Sequence, residues 1–171
     1  MDTISAGINA LEPTRSGDGD TAHADVLRKF RIVFNAVRTH FQQVERQVGL
    51  GGAQIWALSL IRDNPGMGTN GIAQCMDIHQ STASNLIRTL MQKQLIAIDR
   101  SEVDRRQVEL TILPLGLELL GQVSGPFEGV LPAALRQLPE PTLERLDADL
   151  AELIRLLKAD ESAGSIPLAQ I

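Results

Sequence analysis

NGIAQCMDIHQSTASNLIRTLMQKQLIAIDRSEVDRRQVELTIL, residues 70–113, decides the fold. It reads as helix, tight turn, helix and hairpin. The first helix runs from about Asn70 to Met76, with Thr69 as its N-cap, and places Ile72, Ala73 and Met76 on one face. Asp77, Ile78 and His79 form the turn. The second helix runs from about Gln80 to Gln94, and Ala83, Leu86, Ile87, Leu90 and Met91 make its buried stripe. Its other face carries Gln80, Ser81, Thr82, Ser84, Asn85, Arg88 and Thr89, with no acid and no long apolar side chain. Hydroxyls, amides and a guanidinium suit a helix that lies in a major groove, because they donate to phosphates and read base edges.

After Leu95 the apolar period changes from helical to alternating. Ile96 and Ile98 face Val108, Leu110 and Ile112 on a return strand. The connection DRSEVDRR is polar, and it carries Arg105 and Arg106. Such a hairpin is a wing able to reach a minor groove, whose narrow width concentrates negative potential.

These residues carry a family resemblance. GIAQCMDI, HQSTASNLIRTLMQKQLI and IDRSEVDRRQVELTILPLG resemble the winged helix-turn-helix of the MarR family of bacterial transcription regulators. The most specific part is Asp104-Arg105-Arg106 followed by Pro114-Leu115-Gly116. The resemblance spans about Arg31 to Lys158 and departs at three places. His79 stands where the family usually has a Ser N-cap, Asn85 where an Arg often follows Ser, and Leu113 where Thr precedes Pro-x-Gly. The family's Asp-x-Arg is matched by Asp104 and Arg106. That match implies that the acid braces the arginine within reach of DNA, leaving Arg105 for a phosphate.

Working outward, a long amphipathic helix is expected from Asp25 to Val48, with Val26, Phe30, Val33, Phe34, Val37, Phe41, Val44 and Val48 along one stripe. The stripe is broad enough for a second subunit as well as for a core. A second helix, Ala53 to Asp63, ends at Asn64-Pro65-Gly66. Beyond the wing, Pro114 starts a helix, Gly125-Pro126 interrupts it, and a last helix from Thr142 to Ala159 carries a leucine stripe.

The expected fold class is all-α with a small β-hairpin wing. Residues 1–20 read as a flexible arm and 161–171 as a loose tail. The winged-helix domain spans 21–160, with 53–113 as its DNA-binding lobe and 21–50 and 114–160 as dimerisation helices. The resemblance also implies an effector pocket between the first helix, the second helix and the helix after the wing. Phe34, Val37, Arg38, Phe41, Trp56 and Ser59 are its candidates, a set suited to a small aromatic acid. Each of those aromatics taken singly reads better as core.

Composition bounds the alternatives. The 171-residue chain has 43% hydrophobic residues, enough for a full core in one domain. It has no eighteen-residue apolar run and no signal-peptide pattern, and its one cysteine excludes an intrachain disulfide framework, so a cytoplasmic protein without membrane contact is expected. The net charge is −5. Between Ser81 and Arg106, however, five bases (Arg88, Lys93, Arg100, Arg105, Arg106) stand against three acids (Asp99, Glu102, Asp104). The local net is +2, which leaves −7 elsewhere. Phosphate loops, HExxH and GxSxG are missing, and the three histidines lie on separate elements. No enzyme activity, cofactor or metal is expected. Cys75 reads as an inert, semi-buried thiol. The expected function is a homodimeric repressor that binds double-stranded DNA at a near-palindromic operator and is released by a small effector. The rival reading is a winged-helix protein-interaction module without DNA binding, which the arginines disfavour.

Overall fold

The computed structural model describes residues 17–100 and 108–170 of the chain. Seven α-helices and one hairpin are found among them. They are α1 (Gly17–Val48), α2 (Gly52–Asp63), α3 (Thr69–Met76), α4 (Gln80–Gln92), β1 (Ile96–Arg100), β2 (Val108–Ile112), α5 (Pro114–Gly121), α6 (Val130–Leu135) and α7 (Glu140–Leu157). This is the expected helical class with a two-stranded antiparallel wing.

The chain divides into two units at Phe34. In the first, α1 begins at Gly17 rather than Asp25, so residues 17–20, assigned to the flexible arm, are helical. The Phe30 and Phe34 rings stack 6.3 Å apart. Val26, Leu27, Ile32, Val33 and Phe34 are exposed.

The second unit, from Asn35 onward, holds the core. Its largest fully buried side chains include Ile55, Leu58 and Ile61 of α2, Ile72 of α3, Leu90 of α4 and Leu110 of β2. α2 is the central element and packs on α3, α4, α5 and β2. Its apolar residues recur at the spacing that lines one helical face, and the face is fully withdrawn from water.

The two strands expected to answer each other do pair, Ile96 with Ile112 and Ile98 with Leu110. Pro114 sits in the first turn of α5, where its missing N–H costs nothing. Next along α5, Gly116 lies so close to the wing base that a Cβ there would come within 2.5 Å of the Leu95 carbonyl and 2.9 Å of Ile112 Cγ1. Close approach therefore explains the glycine of the Pro114-Leu115-Gly116 motif. As expected, the path breaks around Gly125-Pro126, here a cis peptide between α5 and α6.

Three local expectations need correction. Gly68, not Thr69, is the N-cap of α3, and Thr69 is already helical. α4 ends at Gln92, and Gln94 turns to a positive φ of 57°. The tail expected to be loose folds into two 3-10 turns, Glu161–Ser165 and Leu168–Gln170. Asp160 starts the first by accepting from the Ser162 N–H at 3.0 Å, and Ala169 of the second packs against the core.

Candidate nucleic-acid interface

α4 is sharply two-faced. Ala83, Leu86, Ile87 and Leu90 are buried, while Gln80, Ser81, Asn85 and Arg88 are exposed and Thr82, Ser84 and Thr89 are half-buried. His79 takes the N-cap position with extended backbone, and no side chain caps the helix. The missing Ser cap thus leaves the first N–H groups of α4 without a side-chain acceptor.

On the exposed face, Arg88 Nη1 donates to Asn85 Oδ1 at 3.0 Å. The Thr89 hydroxyl turns back to the Asn85 carbonyl, also at 3.0 Å. Asn85 and Arg88 therefore form one donor surface on adjacent turns, with the amide oxygen orienting the guanidinium. Thr89 is spent on its own helix. Lys93, counted with the basic patch, sits elsewhere: its Nζ lies 3.5 Å from the Gly49 carbonyl, just past the C-terminal end of α1. A cation is favoured there by the helix dipole.

A cleft of about 450 Å³ borders the start of α4. Gly66, Gly68, Thr69, Asn70, Gly71, Gln80 and Val108 line it. Backbone bonds hold this region together, because the Gly66 N–H donates to the Leu110 carbonyl at 3.1 Å and the Leu110 N–H to the Met67 carbonyl at 3.2 Å. The loop before α3 is thus laced to the middle of β2. Gly66 has a positive φ of 83°, and a Cβ on Gly68 would stand 2.9 Å from the Val108 carbonyl. Thr69 and Asn70, expected only to start α3, lie on this cleft. The signal for them was the Gly66, Gly68, Gly71 spacing, which allows close backbone approach. In helix-turn-helix proteins the first helix crosses the nucleic-acid backbone, so its N-terminal amides are suited to phosphate.

Asp104, Arg105 and Arg106 lie outside the described residues. Cys75 is exposed rather than semi-buried. The buried stripe of α3 centres on Ile72, Ala73 and Met76, and position 75 lies roughly 100° off that centre at 100° per residue.

The proposed effector residues fall in both units. Phe34 belongs to the first and is exposed. In the second unit Val37 is buried, Arg38 exposed, and Phe41 and Trp56 half-buried. Ser59 is buried, and its hydroxyl donates to the Trp56 carbonyl at 2.7 Å. Its hydrogen bond is therefore already used within α2. Beside Phe41, the His40 ring nitrogen Nε2 lies 3.1 Å from the Pro126 carbonyl, which ties α1 to the loop after α5.

At the end of α2, Arg62 donates to the Asp63 carboxylate at 2.7 Å and lies 5.2 Å over the Phe127 ring. The hydrogen bond from Arg62 holds the Asp63 carboxyl below its usual pKa range. Among the described residues no three His, Cys, Asp or Glu side chains gather as a metal cage, and no helix is long and apolar enough to cross a membrane.

Comparison with known proteins places this arrangement. The sequence profile of the MarR family matches residues 48–107, from the end of α1 into the wing loop. A putative transcriptional regulatory protein for the hcr operon of Thauera aromatica is 32% identical over 132 residues, covering 77% of this chain and 74% of its own length. The HTH-type transcriptional repressor MdtR of Bacillus subtilis (strain 168) is 21% identical over 142 residues, covering 83% of this chain and 92% of its own. Among solved structures, the S. aureus MepR–DNA complex superposes with a TM-score of 0.53 at 23% identity, over 79% of this chain and 97% of that one. YusO of Bacillus subtilis gives a TM-score of 0.51 at 20% identity, over 81% and 98%. At those identities the two structures speak for the fold alone.

Proposed function

The chain belongs to the MarR family of transcription regulators, and on that premise we propose that it is a cytoplasmic, homodimeric repressor that binds a near-palindromic operator and is released by a small aromatic acid. The observation that carries DNA binding is the exposed face of α4. It presents Gln80, Ser81, Asn85 and Arg88 around a positive charge, with no carboxylate among them. Residues 53–113 act as the DNA-binding lobe: α4 enters the major groove, the α3 N-terminus meets the phosphates, and Arg106, braced by Asp104, enters the minor groove.

Dimerisation is supported by apolar surface that a single chain leaves wet. α7 has no buried residue, and Ile154, Leu156 and Leu157 are 41%, 64% and 67% exposed. In the N-terminal unit, Ile32 and Phe34 are each 61% exposed. Residues 21–50 and 114–160 supply these faces. A symmetric partner would bury them, and two half-sites would double the contacts on one operator.

The effector reading rests on Arg38, an exposed cation one turn before the half-buried Phe41. A carboxylate on the arginine and a ring on the apolar side would favour one dimer geometry over the other, and only such differential affinity can release DNA. The deciding experiment is a mobility shift with the DNA upstream of the protein's own gene, combined with sedimentation at micromolar concentration. A dimer that shifts this duplex and not a scrambled one is expected. A monomer, or equal binding to both duplexes, would overturn the proposal. Arg38→Ala is expected to abolish the response to aromatic acids while leaving operator affinity unchanged.

A further inference from the structure

The folded C-terminal segment closes on α2. Gly52 opens that helix, and its bare side is filled twice: a Cβ there would collide with the Phe41 ring and would stand 2.9 Å from Ala169 Cβ. Gly129 bounds the same ring from another side, since a Cβ on it would lie 2.7 Å from Phe41 Cζ. The ring of Phe41 is therefore slotted between two glycines, and the Leu168–Gln170 turn lies against the same end of α2. Trp56 follows Gly52 by one helical turn.

The manner of attachment is informative. Pro167 is buried and Ala169 half-buried, whereas the larger neighbours Ile166 and Leu168 are 47% and 39% exposed. Small side chains face inward and large ones outward. Little apolar area holds the segment down, so its grip is light compared with that of a core element.

We propose that residues 166–170 form a removable strap over the Gly52 end of α2, beside Phe41, and that an effector must displace the strap to reach Phe41 and Trp56. The inference rests on the effector reading of Phe41 and Trp56 given above. A strap closed nine times in ten weakens apparent ligand affinity about tenfold, because only the open fraction binds. The strap thus sets the effector concentration at which the regulator responds.

The test compares the full chain, a chain ending at Ser165, and Ala169→Asp, which places a charge against the apolar seat. Trp56, the chain's one tryptophan, lies one turn from Gly52, so its emission is expected to report strap position without any ligand. Benzoate serves as the aromatic-acid probe. Both altered chains are expected to shift Trp56 emission to longer wavelength and to bind benzoate about tenfold more tightly. Unchanged emission in both would overturn the strap as a cover. Shifted emission with equal benzoate affinity in all three chains would overturn its role as a gate. If none of the three binds benzoate, the effector reading beneath the proposal fails and the gate with it, while the emission shift still reports whether the segment covers Trp56.

Discussion

Gly116→Ala should damage the protein, although the same change in most helices is helpful. An alanine in a helix interior is favoured over glycine by up to about 1 kcal/mol. At Gly116 the added methyl would meet the Leu95 carbonyl oxygen at 2.5 Å and Ile112 Cγ1 at 2.9 Å. That carbonyl cannot retreat freely, because it accepts from the Leu113 N–H at 2.9 Å. Relief requires α5 to shift away from the wing base. Overpacking of this kind costs about 1–3 kcal/mol, and losing the Leu113–Leu95 bond adds about 1 kcal/mol. Subtracting the propensity gain leaves a net loss on the order of 2 kcal/mol, or about 4–8 °C in Tm for a chain of this size. Gly121 ends the same helix, and a Cβ there has nothing within 4 Å, so Gly121→Ala should be neutral or slightly stabilising. Urea unfolding followed by circular dichroism compares the two variants directly. Gly116→Ala matching or exceeding Gly121→Ala in stability would refute the packing explanation of the Pro114-Leu115-Gly116 motif.

Arg88→Ala should flatten the salt dependence of operator binding by about 0.9 per subunit, close to 2 for a dimer, whereas Asn85→Ala should relax sequence preference with little change in slope; titrations at two salt concentrations separate them. Arg106→Ala should cost on the order of 1–3 kcal/mol in operator affinity. Asp104→Ala should also weaken binding, although it removes negative charge beside DNA; tighter binding would mean that the acid merely repels phosphate. Asp63 gives a pH signature: its folded pKa lies below the unfolded one, so its contribution is present above the ordinary carboxylate pKa of about 4 and is lost as pH falls through the folded value. Arg62→Ala should remove that acid-side loss, as read from Tm against pH, since the Arg62 hydrogen bond is its first cause.

Periodicity carried the parts of the fold that are long and two-faced. The alternation of the hairpin is found, and so is the stripe of α4 at Ala83, Leu86, Ile87 and Leu90; Met91, which the spacing also put in that stripe, is instead 42% exposed in the last turn of the helix. Spacing failed where few residues decide. The 166–170 segment has no period, and it is held where Ala169 meets Gly52, a glycine more than a hundred residues away. Cys75 was judged from its residue type, whereas its place on a two-turn helix sets its exposure. The basic patch was counted along the chain. Lys93 comes five positions after Arg88, about 140° round the helix, and so reaches the end of α1 instead. The lacing of Gly66 and Met67 to Leu110 uses backbone groups alone, which leave no mark on side-chain pattern beyond the glycines.

These contacts make α2 the route by which an effector could govern DNA binding. Its first residue, Gly52, meets Phe41 and Ala169, while its buried side chains Ile55, Leu58 and Ile61 belong to the core shared with α3, α4 and β2. A close-packed interior moves as pieces rather than flowing. A ligand or strap that changes the seat of the Gly52 end would tilt α2, and α4 and the wing would follow as one body, because Gly66 and Met67 bind the α2–α3 loop to β2. The spacing between two α4 helices in a dimer is the quantity such a tilt alters, and a fixed operator tolerates little change in half-site spacing. Physical contiguity alone does not establish coupling. The proposed strap would supply what coupling requires: an open position besides the closed one seen here, for an element attached at the end of α2 farthest along the chain from α3.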